Sequence, residues 1–184
     1  MASSLTDAIV EDARRGDAAA LTALYESVAP GILAYLRGRG SADPEALTQD
    51  VFLQLLPRMR RIKGGARGVQ ALAFTIAHSR LVDELRRRGR SIEMSVAEPV
   101  ESPSNGALHA SAEDEVLAGP ERAMALLASL GEAQRTVIML RIFGDLSVEQ
   151  TARVLGKSVG AVKQLQRRGL LALRDTLNQT RDEL

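Results

Sequence analysis

Residues 89–119, GRSIEMSVAEPVESPSNGALHASAEDEVLAG, interrupt a chain that otherwise reads as helix from end to end. The stretch holds Pro99, Pro103 and a Ser-Asn-Gly turn, and shows no sustained apolar periodicity. Its acidic residues are Glu93, Glu98, Glu101, Glu113, Asp114 and Glu115, and beyond Arg90 it has no Lys or Arg. A segment so polar and proline-marked cannot bury enough apolar surface to offset the entropy of ordering it. The reading is a flexible acidic linker over 91–119. It leaves two small domains, 1–90 and 120–184.

Both flanks carry helical spacing and no alternating β pattern, so the expected class is all-α. Thr6 to Arg15 reads as a short first helix. A second follows with Leu21, Leu24, Val28, Ile32, Tyr35 and Leu36 at helical intervals, broken or kinked at Pro30-Gly31. Asp43 and Pro44 suit an N-cap and a first helical position for a helix running through EALTQDVFLQLLPRM. Gly64, Gly65 and Gly68 then break the chain before VQALAFTIAHSRLVDELRRRG. The aromatic residues, Tyr25, Tyr35, Phe52, Phe74 and Phe143, fall at apolar helical positions and are expected in the cores.

Several function classes are disfavoured early. The chain has no cysteine and only His78 and His109, which leaves no thiolate or histidine-rich metal site. No phosphate-binding glycine loop, nucleophile elbow or carboxylate–histidine set occurs, so neither a cofactor nor catalysis is expected. No basic leader precedes an apolar run, and no apolar run approaches bilayer length, which implies a soluble intracellular protein. A net charge of +1 does not itself imply nucleic acid. The distribution of charge does.

In LSVEQTARVLGKSVGAVKQLQRRGLLALR, residues 146–174, Ser147 and Gln150 have capping-box spacing. Val148, Thr151, Ala152 and Leu155 form an inner face, and Gly156 suits the left-handed position that ends a helix. Ser158 caps a second helix in which Val159, Val162, Leu165 and Leu170 are expected to point inward. This is the pattern of a helix-turn-helix, whose second helix enters the major groove. Ser158, Gly160, Lys163, Gln164, Arg167 and Arg168 would face DNA, and no acid lies between Lys157 and Arg174. Arg can take guanine and Gln adenine by paired hydrogen bonds, while Lys more often neutralises phosphate. A solvated basic face on a plain helical hairpin is the bland alternative, and the caps and turn outweigh it.

The same region resembles the C-terminal part of extracytoplasmic-function sigma factors. The shared skeleton falls on Leu130, Gln134, Arg135, Val137, Leu140, Gly144, Ser147, Gln150, Ala152, Leu155, Gly156, Ser158, Gly160, Val162 and Lys163. LTQDVFLQLL at 47–56 is similar to the family's polymerase-binding helix, and IAHSRLVDELRRR at 76–88 to its −10 helix. The resemblance implies binding to core RNA polymerase, at the clamp helices of its largest subunit and at the flap, through Gln49, Asp50, Phe52 and Leu53. It implies −10 recognition, including the melted strand, by Lys63, Arg67, His78, Ser79, Arg80, Arg86 and Arg87; the spacing of His78 from Ala77 and Leu81 places it on the outward face. The −35 element would go to the helix-turn-helix, and an anti-sigma factor is an expected partner. Where relatives commonly carry Trp-Leu ahead of the −10 helix this chain has Leu72-Ala73, so an aromatic wedge is not supported, and a flipped base would enter a pocket at the Lys63–Arg67 loop. A stand-alone regulator using only the helix-turn-helix remains the other function class.

Overall fold

The computed structural model describes residues 5–95 and 119–182, with side chains over 5–90, at 119 and over 122–179. Among the described residues there are α-helices, one 3-10 helix and no strand, as the all-α reading expects. Most of the expected linker, with His109, lies outside the described residues.

In the N-terminal half, α1 (Asp7–Arg14) starts at a Thr6 cap whose Oγ1 accepts from Ile9 N at 3.3 Å. Next, α2 (Ala18–Gly38) starts at Asp17, which accepts from Ala20 N at 2.8 Å. Leu24, Val28, Ile32, Tyr35 and Leu36 make its buried stripe. The expected break at Pro30-Gly31 does not occur. Pro30 sits inside a continuous helix, next to buried Ala29 and two residues before buried Ile32. Unbroken, α2 is long and apolar enough to cross a bilayer by length and composition, which corrects the sequence expectation. Its apolar stripe, Leu24, Val28, Ile32, Tyr35 and Leu36, packs inside the fold.

The third helix, α3 (Pro44–Leu55), has the expected cap, with Asp43 accepting from Ala46 N at 2.9 Å. It tightens into a 3-10 helix over Leu56–Arg61, where Pro57 supplies no backbone N–H. Then α4 (Gly65–Ser95) begins before Val69 and runs into the stretch expected to be linker. Its early start has a remote cause. The carboxylate of Asp7 accepts from Ala66 N at 2.7 Å, capping α4 from α1.

The C-terminal half comprises α5 (Gly119–Ala128), α6 (Glu132–Ile142), α7 (Val148–Leu155) and α8 (Val159–Asp182). Val137, Ala152 and Val162 form its own small core, with Val148, Leu155 and Leu165 packed on it. Two expected inward residues are corrected: Val159 and Leu170 are exposed. The true inner stripe steps from Val162 and Leu165 to Gly169, whose backbone lies against Ile138, and on to Ala172 and Leu173.

The two halves also share a core. Leu127, Leu130, Met139, Leu140 and Leu146 join the same apolar cluster as Leu36, Phe74 and Ala77. At this seam Gly31 meets the Phe143 carbonyl so closely that a Cβ there would collide with it. Gly31 therefore serves a close approach rather than a helix break.

Candidate nucleic-acid and polymerase interface

Local chemistry shapes the helix-turn-helix. Ser147 Oγ accepts from Gln150 N at 3.1 Å while Gln150 Oε1 accepts from Ser147 N at 2.7 Å, completing the capping box. Gly156 takes φ 60°, and its left-handed turn points the chain into α8. Ser158 Oγ then accepts from Ala161 N at 3.1 Å, so this hydroxyl is committed to the cap. With Val162 and Leu165 turned to the core, Lys163, Gln164, Arg167 and Arg168 stand exposed, and Gly160 keeps the helix start bare. Among the described residues Lys163 has the Glu149 carboxylate within electrostatic reach from α7.

A second basic surface runs along α4. Arg80, Arg86, Arg87 and Arg90, with Asp83, line an open cleft of about 630 Å³. Ser79 is exposed beside it, and Arg80 is tied to Asp50 of α3 at 3.6 Å. Lys63 and Arg67 are exposed where the chain enters α4. The carbonyl of Arg67 accepts from Gln150 Nε2 at 3.1 Å, so the α4 entry touches the start of α7.

His78 is not outward, which corrects the expectation. Its Nδ1 lies 2.8 Å from the Tyr35 hydroxyl, in the inner stripe that Phe74 and Leu81 mark at four residues before and three after. Burial first, and the nearby Arg39 guanidinium second, hold the His78 pKa below its ordinary value, so the ring is neutral near pH 7. Burial likewise pushes Tyr35 up to about 12. The pair joins α2 to α4 and is withdrawn from DNA.

On α3 the expected polymerase residues divide. Gln49 is exposed, Asp50 half-exposed, and Leu53 is 70% exposed. Phe52, at 6% exposure, is a core residue in the stripe Thr48, Val51, Phe52, Leu55. It cannot be a primary contact. Tyr25 takes the opposite course: expected in the core, it is 45% exposed, with its ring centroid 4.6 Å from that of Phe52. Tyr25, Ala29, Pro30, Leu33, Thr48 and Gln49 line an apolar recess of about 430 Å³ with Glu26 and Glu45 at its edge. Sequence reasoning missed this recess. The spacing Tyr25, Ala29, Leu33 beside the main stripe was the available signal.

A capped helix-turn-helix with an acid-free outward face, beside a second basic helix in one all-helical chain, defines a DNA-binding transcription protein. Residues 126–175 match the family Sigma-70, region 4. The chain is 33% identical over 181 residues to the ECF RNA polymerase sigma factor ShbA of Streptomyces griseus, covering 94% of this chain and 95% of ShbA. It is 32% identical over 169 residues to the ECF RNA polymerase sigma factor BldN of Streptomyces coelicolor, covering 90% of this chain and 63% of BldN's length. The chain belongs to the extracytoplasmic-function RNA polymerase sigma factors, alternative sigma factors of transcription initiation. Its fold is similar to that of the sigma factor RpoE from Bartonella quintana, solved in complex with the anti-sigma factor NepR. The TM-score is 0.64 at 24% identity, over 84% of this chain and 94% of that one.

Proposed function

We propose that this chain binds core RNA polymerase through the α3 face and directs it to promoters read at two separate elements. In this reading residues 1–90 form the polymerase- and −10-binding domain, 91–119 the linker and 120–184 the −35-binding domain. The observation that carries it is the exposed, acid-free face of α8. Arg167 and Arg168 supply paired donors for guanine edges, Gln164 can pair with adenine, and Lys163 and the bare Gly160 turn suit phosphate approach. Ser158 acts through its cap.

At the −10 element, Arg86, Arg87 and Arg80 hold the phosphate backbone along the α4 cleft, with Ser79 beside them. Lys63 and Arg67 flank the entry of a melted base. Gln49, Asp50 and Leu53 meet the clamp helices of the polymerase's largest subunit, and the C-terminal half meets the flap. The chain works in the cytoplasm without catalysing a reaction of its own, and an anti-sigma factor restrains it.

Promoter selection tests the reading. Fragments of genomic DNA retained by the chain with core polymerase should share two separated sequence blocks. A palindromic block selected equally well without polymerase would instead mark a stand-alone regulator.

A further inference from the structure

The stretch from Ile62 to Gly68 contains Gly64, Gly65 and Gly68, and a chain so rich in glycine is loose when left to itself. It presents Lys63 and Arg67, both exposed, at the entry assigned to the melted −10 base. Gly64 and Gly65 take φ of 92° and 55°, and Gly68 N donates back to the Gly64 carbonyl at 2.9 Å. These local features shape the loop, but they do not fix where it sits on the protein.

Helix α1 supplies that. Asp7 and Arg14 stand on one face of α1, two turns and roughly 10 Å apart along its axis, and they reach opposite ends of the loop. At the near end the Ile62 carbonyl accepts from Arg14 Nη2 at 2.7 Å. At the far end Ala66 N donates to Asp7 Oδ1 at 2.7 Å. A Cβ on Gly65 would collide with that carboxylate, so the loop backbone lies directly against it. Arg14 is held in turn by Glu11, whose carboxylate accepts from Nη1 at 3.2 Å. Val10 and Ala13, between the two anchors, are buried in the N-terminal core, so α1 is itself fixed.

We infer that Asp7 and Arg14 are positioning residues for capture of the melted strand: from α1 they hold residues 62–66 in the conformation that receives the base. The inference rests on the −10 reading above. A loop fixed in advance does not have to be ordered by the strand on binding, so less affinity is lost to that ordering. Neither residue needs to touch DNA. The Asp7 carboxylate would repel a phosphate, and its place between Lys63 and Arg67 on the one side and α1 on the other is accounted for by the bond to Ala66 N.

Promoter selection supplies the −10 block, and the probes are single DNA strands carrying it, intact or with one base removed at a time. Holoenzyme formed from core polymerase and the full chain should bind the intact strand about tenfold more tightly than at least one abasic strand. Asp7→Ala, and separately Arg14→Met, should cut that ratio by roughly threefold or more while affinity for core polymerase stays as it was. The ratio compares two strands on the same molecules, so a smaller folded fraction or a changed net charge leaves it unmoved. Asp7→Asn keeps the Oδ1 acceptor and should keep the ratio. A ratio unchanged in Asp7→Ala or in Arg14→Met overturns the positioning role, and so does an Asp7→Asn ratio that falls as far as that of Asp7→Ala. A parent holoenzyme that binds every abasic strand as tightly as the intact one overturns the −10 reading instead.

Discussion

The Asp50 carboxylate on α3 lies 3.6 Å from the Arg80 guanidinium on α4, so one ion pair ties the proposed polymerase face to the proposed −10 face. Both side chains are well exposed, and such pairs contribute about 0–1 kcal/mol. Asp50→Asn should therefore move the unfolding free energy by less than about 0.5 kcal/mol. It should weaken core polymerase binding and release Arg80 toward phosphate. The salt dependence of DNA binding would steepen by up to about one unit of log–log slope. An unchanged slope would remove Arg80 from the DNA contacts.

Phe52 and Leu53 are adjacent and do opposite work. Phe52→Ala should destabilise the protein by about 3–5 kcal/mol, because a buried ring is lost. Leu53→Ala should leave the melting temperature nearly unmoved and weaken polymerase binding in a pull-down with core enzyme. If Leu53→Ala binds core polymerase as well as the parent, the α3 face is misassigned.

The residues that were legible in sequence have local causes. Asp43-Pro44, Ser147 with Gln150, and Ser158 cap helices within three residues of themselves, and Gly156 ends a helix by its own φ. What was not legible depends on partners far away in the chain. Asp7 caps α4 across 59 positions, and Gly31 answers to Phe143 in the other half. His78 reads as outward from its spacing to Ala77 and Leu81, and Phe52 gains a contact role only from the resemblance, against the core position that its helical phase gives it. Phase against Phe74 and Leu81 turns His78 toward Tyr35, where it is half-buried, and phase against Thr48 and Leu55 buries Phe52.

The Tyr35–His78 pair makes stability depend on pH in a defined direction. A lowered His78 pKa means the unfolded chain binds the proton first, so stability should fall as pH drops below about 6.5. It should also fall above pH 10, because Tyr35 ionises first in the unfolded chain and at about 12 in the folded one. Denaturant titrations across pH should show the acid slope shrink in His78→Gln. A slope that persists unchanged would assign it to other groups.

On α8, Arg168→Ala should cost about 1–3 kcal/mol in −35 binding and relax preference at one base pair. Lys163→Ala should weaken all sequences alike and flatten the salt slope, as expected of a phosphate contact. Binding isotherms on matched and altered duplexes at several salt concentrations separate the two.

The most direct test of the whole account is transcription from a selected promoter by core polymerase with and without this chain. The account predicts a discrete transcript that appears only with the chain, disappears when either sequence block is altered, and weakens in Arg168→Ala. Transcription equal to that of core polymerase alone, from a chain that still binds the same DNA, would contradict it.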